Sequence, residues 1–185
     1  DAHSLDAHGA RMDIPLRVFS ESYYPNLCSL YNHLGVKYRA ADYSFACLDA
    51  RPGATSYFRY VNLLIAGMAL PVPMCLNPWH LLKCVRLGAA FARFVNHAPA
   101  QLASGAAGRE PSLGKFLATH GFSKEFATQL LYPMLSVVCT CSYAAVEAYP
   151  ASLVIDYFAN KYGLSGAQCR AYEGTRDVVQ RMTQP

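Results

Sequence analysis

The stretch from Asn77 to Val95, NPWHLLKCVRLGAAFARFV, predicts the longest helix of the chain. Asn77 is a favourable N-cap, and Pro78 suits the first helical position because the amide hydrogen that proline lacks would be unpaired there. The apolar positions that recur at helical spacing are Leu81, Val85, Gly88, Phe91 and Val95. We expect this face of the helix to be buried.

The opposite face of this predicted helix is basic. Its residues are Lys83, Arg86, Arg93 and His97. Such a stripe could meet an acidic partner or a phosphate, but side chains of this kind are more often simply solvated. We therefore interpret it as a solvent-facing surface.

Further helices are predicted on the C-terminal side. Residues 98–109 are rich in Ala, Gly and Ser and read as a loop. Ser112, Ser123 and Pro150 each stand where a helix can begin. The helix from Pro150 would turn Leu153, Val154, Tyr157 and Phe158 inward and end at Gly163.

Residues 126–138 are apolar nearly all round, with Pro133 in the middle. A helix of this composition is buried, and a central proline kinks it because the helix loses one amide donor. A kinked, buried helix often borders a pocket. We expect a pocket along this segment.

The N-terminal part combines one helix with short strands. Pro25 can open a helix that Gly35 closes, and its inward residues would be Leu27, Leu30, Tyr31 and Leu34. Residues 36–38 and 43–47 read as strands, followed by a turn at residues 51–53. The fold class predicted from these segments is α+β, mostly helical.

Composition limits the function classes. The 185 residues carry 53% hydrophobic residues and a formal net charge of +4, with no basic run, so we expect no nucleic-acid partner. The apolar segment from Val61 to Leu76 is interrupted by two prolines and is shorter than the roughly 18 to 20 residues that a transmembrane helix needs. We expect a buried core segment, no transmembrane segment, and an intracellular, cytoplasmic protein.

Cysteine chemistry and metal binding are not indicated. The seven cysteines are scattered, as is usual for buried small residues in a reducing compartment. Cys139 and Cys141 form a C-x-C pair with no second pair at zinc-binding spacing. We predict no metal site.

No catalytic motif is self-contained in the chain. The sequence has no G-x-G-x-x-G, no P-loop, no H-E-x-x-H and no G-x-S-x-G. Dispersed acidic residues form no acid pair and no Ser/His/Asp set. The sequence therefore assigns no catalytic residue and leaves the oligomeric state open. The first residue is Asp1 and the last is Pro185, and we expect the chain to be an interior piece of a longer protein.

A series of short motifs nevertheless occurs in one order along nearly the whole chain. They are MDIPLRVF (12–19), YPNL (24–27), LGV (34–36), YSF (43–45), SLGKFL (112–117), HGFS (120–123), LYPM (131–134), YPA (149–151) and GTRDVV (174–179). The series resembles the predicted NAD/FAD-binding, amine-oxidase-like flavoproteins. In that family a V-D-x-G-F-x-V-F-N segment, Y-P-N and L-G-V follow the first dinucleotide-binding unit.

The resemblance implies a two-part protein with a Rossmann-like FAD domain and a helical substrate domain. Residues 1–60 would contain the remnant of the FAD domain with strands and one helix, residues 61–172 the helical substrate-binding region, and residues 173–185 the return to the FAD domain. The glycine-rich fingerprint that holds the ADP half of FAD would precede Asp1. FAD is the cofactor implied.

The same resemblance implies cofactor-binding residues. His3 and Ser4 would approach the diphosphate or ribose, and the alternative is a frayed polar terminus. Asp13, Ile14, Pro15, Leu16 and Arg17 would run beside the flavin ring, where Arg17 would stabilise reduced flavin unless it is an ordinary surface arginine. Gly174 and Thr175 are interpreted as a simple helix N-cap.

One departure from the family pattern bears on the flavin. The family's glycine in V-D-x-G is Pro15 here, and proline has no amide hydrogen to offer a cofactor. The form Ile-Pro-Leu-Arg would mark a subgroup or a chain without flavin.

In the enzyme that the resemblance implies, a hydride passes from a small organic substrate to flavin N5. Four tyrosines are candidates for the substrate pocket, namely Tyr132, Tyr143, Tyr149 and Tyr157. Two alternatives stay open from the sequence. One is a non-catalytic scaffold protein that retains the fold without flavin, and the other is a carrier of an apolar small molecule.

Overall fold

The computed structural model describes residues 3–14, 18–40, 45–53, 55–65, 68–74, 78–105, 108–109, 111–161 and 168–184. The chain divides into two compact units. Unit 1 comprises residues 1–42 and 165–185, and unit 2 comprises residues 43–164. Residues 43–60, which the sequence grouped with the first part of the chain, thus belong to unit 2. The fold class is α+β, as the sequence predicts.

The strands are β1 (His3–Ala7), β2 (Ala10–Ile14), β3 (Tyr38–Ala40), β4 (Phe45–Leu48), β5 (Ser56–Ile65), β6 (Met68–Pro73) and β7 (Cys169–Ala171). The helices are α1 (Pro25–His33), α2 (Pro78–Ala103), α3 (Leu113–Thr119), α4 (Lys124–Phe126), α5 (Tyr132–Cys139), α6 (Tyr143–Ala148), α7 (Ala151–Lys161) and α8 (Gly174–Thr183). A π-helical turn, Ala127–Leu131, joins α4 to α5.

Unit 1 contains two antiparallel strand pairs. β1 and β2 form a hairpin whose turn residues, His8 and Gly9, both have positive φ, the geometry that matches the twist of a two-residue hairpin. β3, from the N-terminal segment of unit 1, pairs with β7, from its C-terminal segment, so one ladder joins the two segments. Around this ladder the ring of Phe19 packs edge-on against Tyr31 and Tyr38, at 5.3 Å from each ring centre. Aromatic packing therefore forms the core of unit 1.

Unit 2 combines a three-stranded antiparallel sheet, in the order β4-β5-β6, with helices α2 to α7. The segment from Val61 to Leu76 was expected to be buried core, and its described residues form the second half of β5, all of β6 and Met74. Val72 and Met74 are 36% and 44% exposed, so the expectation of burial does not hold for them. In the helical part, the buried ring of Phe94 lies 5.1 Å from Phe158 and 5.5 Å from Phe122. These rings join α2 to α7 and to the turn after α3.

Helix α2 differs from the prediction in length and in its buried face. It runs on to Ala103 through Pro99, across the first part of the predicted loop, because Ala98 is fully buried and the alanines around it favour helix. The buried residues of α2 are Cys84, Leu87, Phe94 and Ala98. Leu81 and Val85 from the predicted inward face are each 48% exposed. Asn77, the predicted N-cap, lies outside the described residues.

The interpretation of the basic stripe on α2 as solvent-facing holds for Arg86 and Arg93, which are exposed, whereas Lys83 and His97 are half-buried. Lys83 Nζ lies 4.1 Å from the ring centre of Tyr57, and Arg86 forms an ion pair with Glu125. Arg93 donates to the carbonyl oxygens of residues 120 and 121, at 2.7 and 3.2 Å. His97 Nε2 lies 3.4 Å from Nδ1 of His120. The stripe therefore attaches α2 to its neighbours within unit 2.

Three predicted helix starts are confirmed. Ser112 Oγ accepts from the amide of Lys115 at 3.4 Å, and Ser123 Oγ accepts from the amide of Phe126 at 3.1 Å. Pro25 opens α1. Helix α7 follows Pro150 directly, although Leu153, which was expected to face inward, is 57% exposed and Ile155 is buried instead. Its predicted stop, Gly163, lies outside the described residues.

The segment 126–138 is buried as predicted as far as Leu135, whereas Val137 and Val138 are 68% and 53% exposed. The helix ends there at Thr140, which has the left-handed conformation with φ of 51°. None of the helices in the described ranges has the combination of length and apolar content that crossing a membrane requires.

Candidate functional site: a buried carboxylate and an apolar groove

A buried carboxylate, that of Asp13, lies in unit 1. Its side chain is 1% exposed. One oxygen, Oδ1, accepts hydrogen bonds from Ser4 Oγ at 2.7 Å, the amide of Thr175 at 2.9 Å and Thr175 Oγ1 at 3.1 Å. Arg170 lies 3.5 Å from the other oxygen. A buried charge is tolerated when it is paired and hydrogen-bonded in this way.

The carboxylate caps helix α8. Glu173, at the N-cap position, makes no side-chain capping bond. Instead Asp13 accepts from the amide of Thr175, and Ser4 Oγ accepts from the next amide, that of Arg176, at 3.1 Å. Two of the unpaired amides at the start of α8 are thus satisfied by the β1–β2 hairpin, and a negative charge is favourable at a helix N-terminus. The simple local cap predicted at Gly174 and Thr175 is replaced by a cap from a distant strand.

The environment of Asp13 determines its ionisation. Burial is the largest influence and raises the pKa of the carboxyl, but the hydrogen bonds from Thr175 and Ser4, together with the charge of Arg170, outweigh it. The pKa of Asp13 therefore lies below its ordinary value, and the group is ionised at neutral pH.

Four of the seven predicted cofactor residues lie in this hairpin. His3 pairs with Ile14 in the β1–β2 register, and Ser4 pairs with Asp13. Pro15, Leu16 and Arg17 lie outside the described residues. The polar atoms of Ser4 and Asp13 are buried and bonded within unit 1, so these two side chains do not fit a direct contact with FAD. The assignment of the other residues stays a prediction.

Unit 2 contains a groove of about 320 Å³. It is lined by Phe45, Ala46, Cys47, Leu48, Tyr57, Pro133, Ser136, Val137 and Tyr143. Strands β4 and β5 supply one wall, and the other comes from α5 and the start of α6. Three lining residues are large and exposed, with Leu48 at 59%, Val137 at 68% and Tyr143 at 50%. Leu48 and Val137 therefore place exposed hydrocarbon at the rim, and Tyr143 adds an amphipathic ring.

Pro133 explains why Tyr57 stands at this groove. In an α-helix the carbonyl of Gln129 would accept from the amide of residue 133, and proline has none. The phenol of Tyr57 donates to this carbonyl instead, at 2.7 Å. The π-helical turn and the proline thus leave an acceptor that fixes Tyr57, and π-helical turns are frequent at functional sites. The pocket predicted along the kinked helix lies here.

Two acidic groups of the groove stay protonated at neutral pH. Burial raises the pKa of the Cys47 thiol to about 11, against the opposing effects of Tyr57 and of the charge of Lys83. Burial also raises the pKa of Tyr57, and Cys47 and Asp49 add to the rise. A protonated thiol is a poor nucleophile, so thiolate chemistry is not expected at this position.

One buried polar atom behind the groove lining has no hydrogen-bond partner among the residues that the structure describes. Ser136 Oγ is buried and makes no hydrogen bond within the described residues. A buried hydroxyl without a partner costs free energy of roughly 1 to 3 kcal/mol.

Of the four tyrosines predicted for the substrate pocket, Tyr143 lines the groove. Tyr132 is buried, and burial followed by the charge of Glu147 raises its pKa. Tyr149 is 41% exposed, and its backbone carbonyl accepts from the amide of Leu113. Tyr157 packs edge-on against Phe158. The structure therefore does not gather these four residues around the groove.

The sequence did not single out Cys47, Tyr57 or Ser136 as site residues. The only local signal was Pro133, which removes an amide from an otherwise regular helix and so requires another donor nearby. The identity of that donor depends on a strand 72 residues away in the chain. Within the ranges that the structure describes, no group of three or more His, Cys, Asp or Glu side chains is arranged to hold a metal ion.

In comparisons with known proteins, no family model matches the chain and no curated protein matches it.

Proposed function

We propose that this chain is the substrate-side part of an FAD-dependent oxidoreductase of amine-oxidase type, and that the groove of unit 2 binds its small organic substrate. The groove itself carries the proposal, because its lining combines exposed hydrocarbon at Leu48 and Val137 with the fixed phenol of Tyr57. The ordered series of motifs that resembles the amine-oxidase-like flavoproteins supports the redox part.

In this proposal the residues of the groove bind and orient the substrate and exclude water. Tyr57 is fixed by its bond to the Gln129 carbonyl, and Cys47 contributes a neutral, buried surface. The redox chemistry would belong to the cofactor. Because Ser4 and Asp13 are used within unit 1, we assign the contacts with FAD to other residues.

The test is the visible absorption spectrum of the whole polypeptide purified from its source, with mass analysis of any molecule released on denaturation. Flavin absorbance and released FAD are expected. A colourless protein that cannot be reconstituted with FAD would contradict the proposal. The 185 residues alone are expected to bind FAD with a Kd weaker than about 1 μM, which corresponds to roughly −8 kcal/mol.

A carrier of an apolar small molecule is the second candidate. The observation that favours it is that Cys47 and Tyr57, two acidic groups of the groove, are both neutral at pH 7 because their pKa values are raised. Release of an apolar ligand from protein that contains no flavin would favour the carrier. Protein that releases neither flavin nor an apolar ligand would favour the scaffold.

A further inference from the structure

We propose that the start of helix α2, together with the end of β6, binds the surface of a lipid bilayer that contains anionic lipids. The inference goes beyond the proposed function and does not depend on it. Three features of unit 2 carry it. They are an exposed apolar patch, the adjacency of the two elements that form the patch, and a long segment of the chain without acidic residues.

The apolar patch lies mainly on the outer face of the first turns of α2. Trp79 is 89% exposed and Leu82 is 70% exposed, although the same helix buries Cys84 and Leu87 on its other face. Single exposed apolar residues are ordinary, whereas a contiguous group of them marks an interaction surface. The α2 patch, as we call this group, consists of Val72, Met74, Trp79, Leu81, Leu82 and Val85.

Backbone contacts bring the two elements of the α2 patch together. The amide of Met74, just after β6, donates to the carbonyl oxygen of Arg59 at 2.8 Å. The thiol of Cys84, in the second turn of α2, lies 3.7 Å from the same oxygen. Met74 therefore lies beside the first turns of α2, and the apolar side chains of the two elements belong to one surface region.

The charges of this part of the chain indicate the kind of surface that the patch fits. Residues 50–109, which include β5, β6 and α2, contain six Lys and Arg and no Asp or Glu. Unit 2 as a whole contains nine Lys and Arg against five Asp and Glu, so it carries the net charge of +4 of the entire chain. Basic charge beside an apolar helix face is the combination that binds membrane interfaces with anionic lipids.

Carboxylates from other elements also approach this region, and they face arginines. Glu125 of α4 forms an ion pair with Arg86, and Asp49 lies 3.5 Å from Arg51. Each of these pairs is neutral as a whole. Lys83 adds a positive charge between Leu82 and Cys84 in the sequence of the helix, and its ammonium lies 4.1 Å from the centre of an aromatic ring of β5. The region of the patch therefore has a positive field.

A bilayer surface fits these features better than a second copy of the chain. In a two-fold dimer the same patch of both molecules meets, so the basic side chains beside it would face their own kind. An anionic bilayer surface attracts them instead. An exposed tryptophan on an apolar helix face is also typical of side chains that lie at the level of the lipid headgroups. Helix α2 would thus lie in the plane of the interface, with the patch towards the lipid.

The experiment uses the fluorescence of Trp79, which is the single tryptophan of the 185 residues. The chain is titrated with vesicles of phosphatidylcholine, alone or mixed with phosphatidylserine, and with the same vesicles made from lipids with brominated acyl chains. We expect a shift of the emission to shorter wavelength and quenching by bromine. The affinity for the vesicles with phosphatidylserine should be higher by at least about fivefold, the effect of one basic residue near an anionic surface. Equal affinity for both vesicles, or unchanged emission with both, would overturn the inference.

Variants assign the binding to the patch. Leu82→Gln should lower the affinity about tenfold, because an exposed leucine no longer enters the apolar part of the interface. Leu153→Gln, the same change at a leucine of α7 that is 57% exposed and lies outside the patch, should leave it unchanged. Lys83→Gln should reduce the preference for phosphatidylserine, whereas Lys115→Gln, at an exposed position of α3, should retain it. Equal affinities of the two leucine variants would overturn the inference.

Two further measurements separate the bilayer from other occupants of the patch. Sedimentation of the chain without lipid should show no self-association that depends on Leu82. A dimer that Leu82→Gln dissociates would overturn the inference and assign the patch to a second copy. The whole polypeptide should sediment together with the vesicles that contain phosphatidylserine. If it stays in solution while the 185 residues bind, the rest of the polypeptide covers the patch and the inference is wrong.

Discussion

The Asp13 cluster of unit 1 and the groove of unit 2 both place polar groups inside the protein, but they differ in how those groups are satisfied. Asp13 accepts three hydrogen bonds and faces Arg170, and Ser4 is equally engaged. In the groove, Ser136 Oγ has no partner within the described residues and the rim carries exposed hydrocarbon at Leu48 and Val137.

The difference separates a structural role from a binding role. Polar groups that are saturated by protein partners hold elements together and leave nothing for a ligand. Exposed hydrocarbon that lines a groove is favourable to bury and can therefore be covered by a ligand. A carboxylate can take part in catalysis, so residue type alone would have favoured Asp13 as the functional site. Because its hydrogen bonds are already made within the protein, the groove is the better candidate.

The largest expected effect comes from breaking the Asp13 cluster. Asp13→Ala leaves the half-buried Arg170 without this partner and three donors without their acceptor, so we expect unit 1 to lose roughly 3 kcal/mol of stability. Urea denaturation followed by amide signals of unit 1 measures this. Asp6→Asn on the same hairpin, which weakens an exposed pair with Arg176, should cost less than about 1 kcal/mol. Equal losses in the two variants would refute the structural role.

A second experiment tests the Tyr57 bond at the groove. Tyr57→Phe leaves the carbonyl of Gln129 without its donor, and we expect a loss of roughly 1 to 2 kcal/mol. In a Pro133→Ala background the new amide can serve the carbonyl, so the same change should cost less. Tyr143→Phe, at a half-exposed phenol, should change stability by no more than about 0.5 kcal/mol. A cost that is independent of residue 133 would show that the proline does not explain the contact.

Acid should affect the two units in different pH ranges. In unit 2, burial, then His120 and Arg93, lower the pKa of His97 below its ordinary value of 6.5. Its unfolded state then binds more protons, so the stability from this group is complete above about pH 6.5 and decreases as the pH falls towards the lower folded pKa. For Asp13, whose pKa is also lowered, the contribution is complete above 3.8 and is lost below it.

An acid titration followed by amide signals should therefore show weakening around α2 and α3 before the β1–β2 hairpin changes. His97→Gln should remove the part of the pH dependence of unit 2 that lies below pH 6.5. Loss of hairpin signals at a higher pH than those of α2 would contradict the assigned pKa directions.

The smallest effect concerns thiol reactivity in the groove. With a pKa of about 11, roughly one Cys47 thiol in a thousand is ionised at pH 8, and the residue is buried. Alkylation followed by mass spectrometry should modify the exposed Cys139 before Cys47. If Cys47 reacts first, the groove contains an activated thiol and the binding role would have to be reconsidered.

The sequence predicted features whose cause lies within a few residues. Ser112 and Ser123 cap helices because the amides that they bond lie three positions further along the chain. The pocket beside Pro133 was expected from the amide that proline lacks, and the groove lies there. The β1–β2 hairpin was not predicted, although His8 and Gly9 supply its turn.

The buried face of α2 could not be predicted because the helix has apolar residues on more than one side. Leu81 and Val85 fit a helical stripe as well as Cys84 and Leu87 do, and only the second set faces the core. The choice depends on packing against α7 and β5, which are distant in sequence. The same packing places the basic side chains of α2 in contact with neighbouring elements of unit 2.

The sequence by itself determined the fold class and the starts of several helices, because helix caps and missing amides act over three or four residues. The tertiary structure alone decided which polar groups are satisfied. The carboxylate of Asp13 reaches an amide 162 residues away, and Tyr57 reaches a carbonyl 72 residues away. Hydrogen bonds act over about 3 Å in space whatever the separation along the chain, so only the folded chain distinguishes the saturated cluster from the groove.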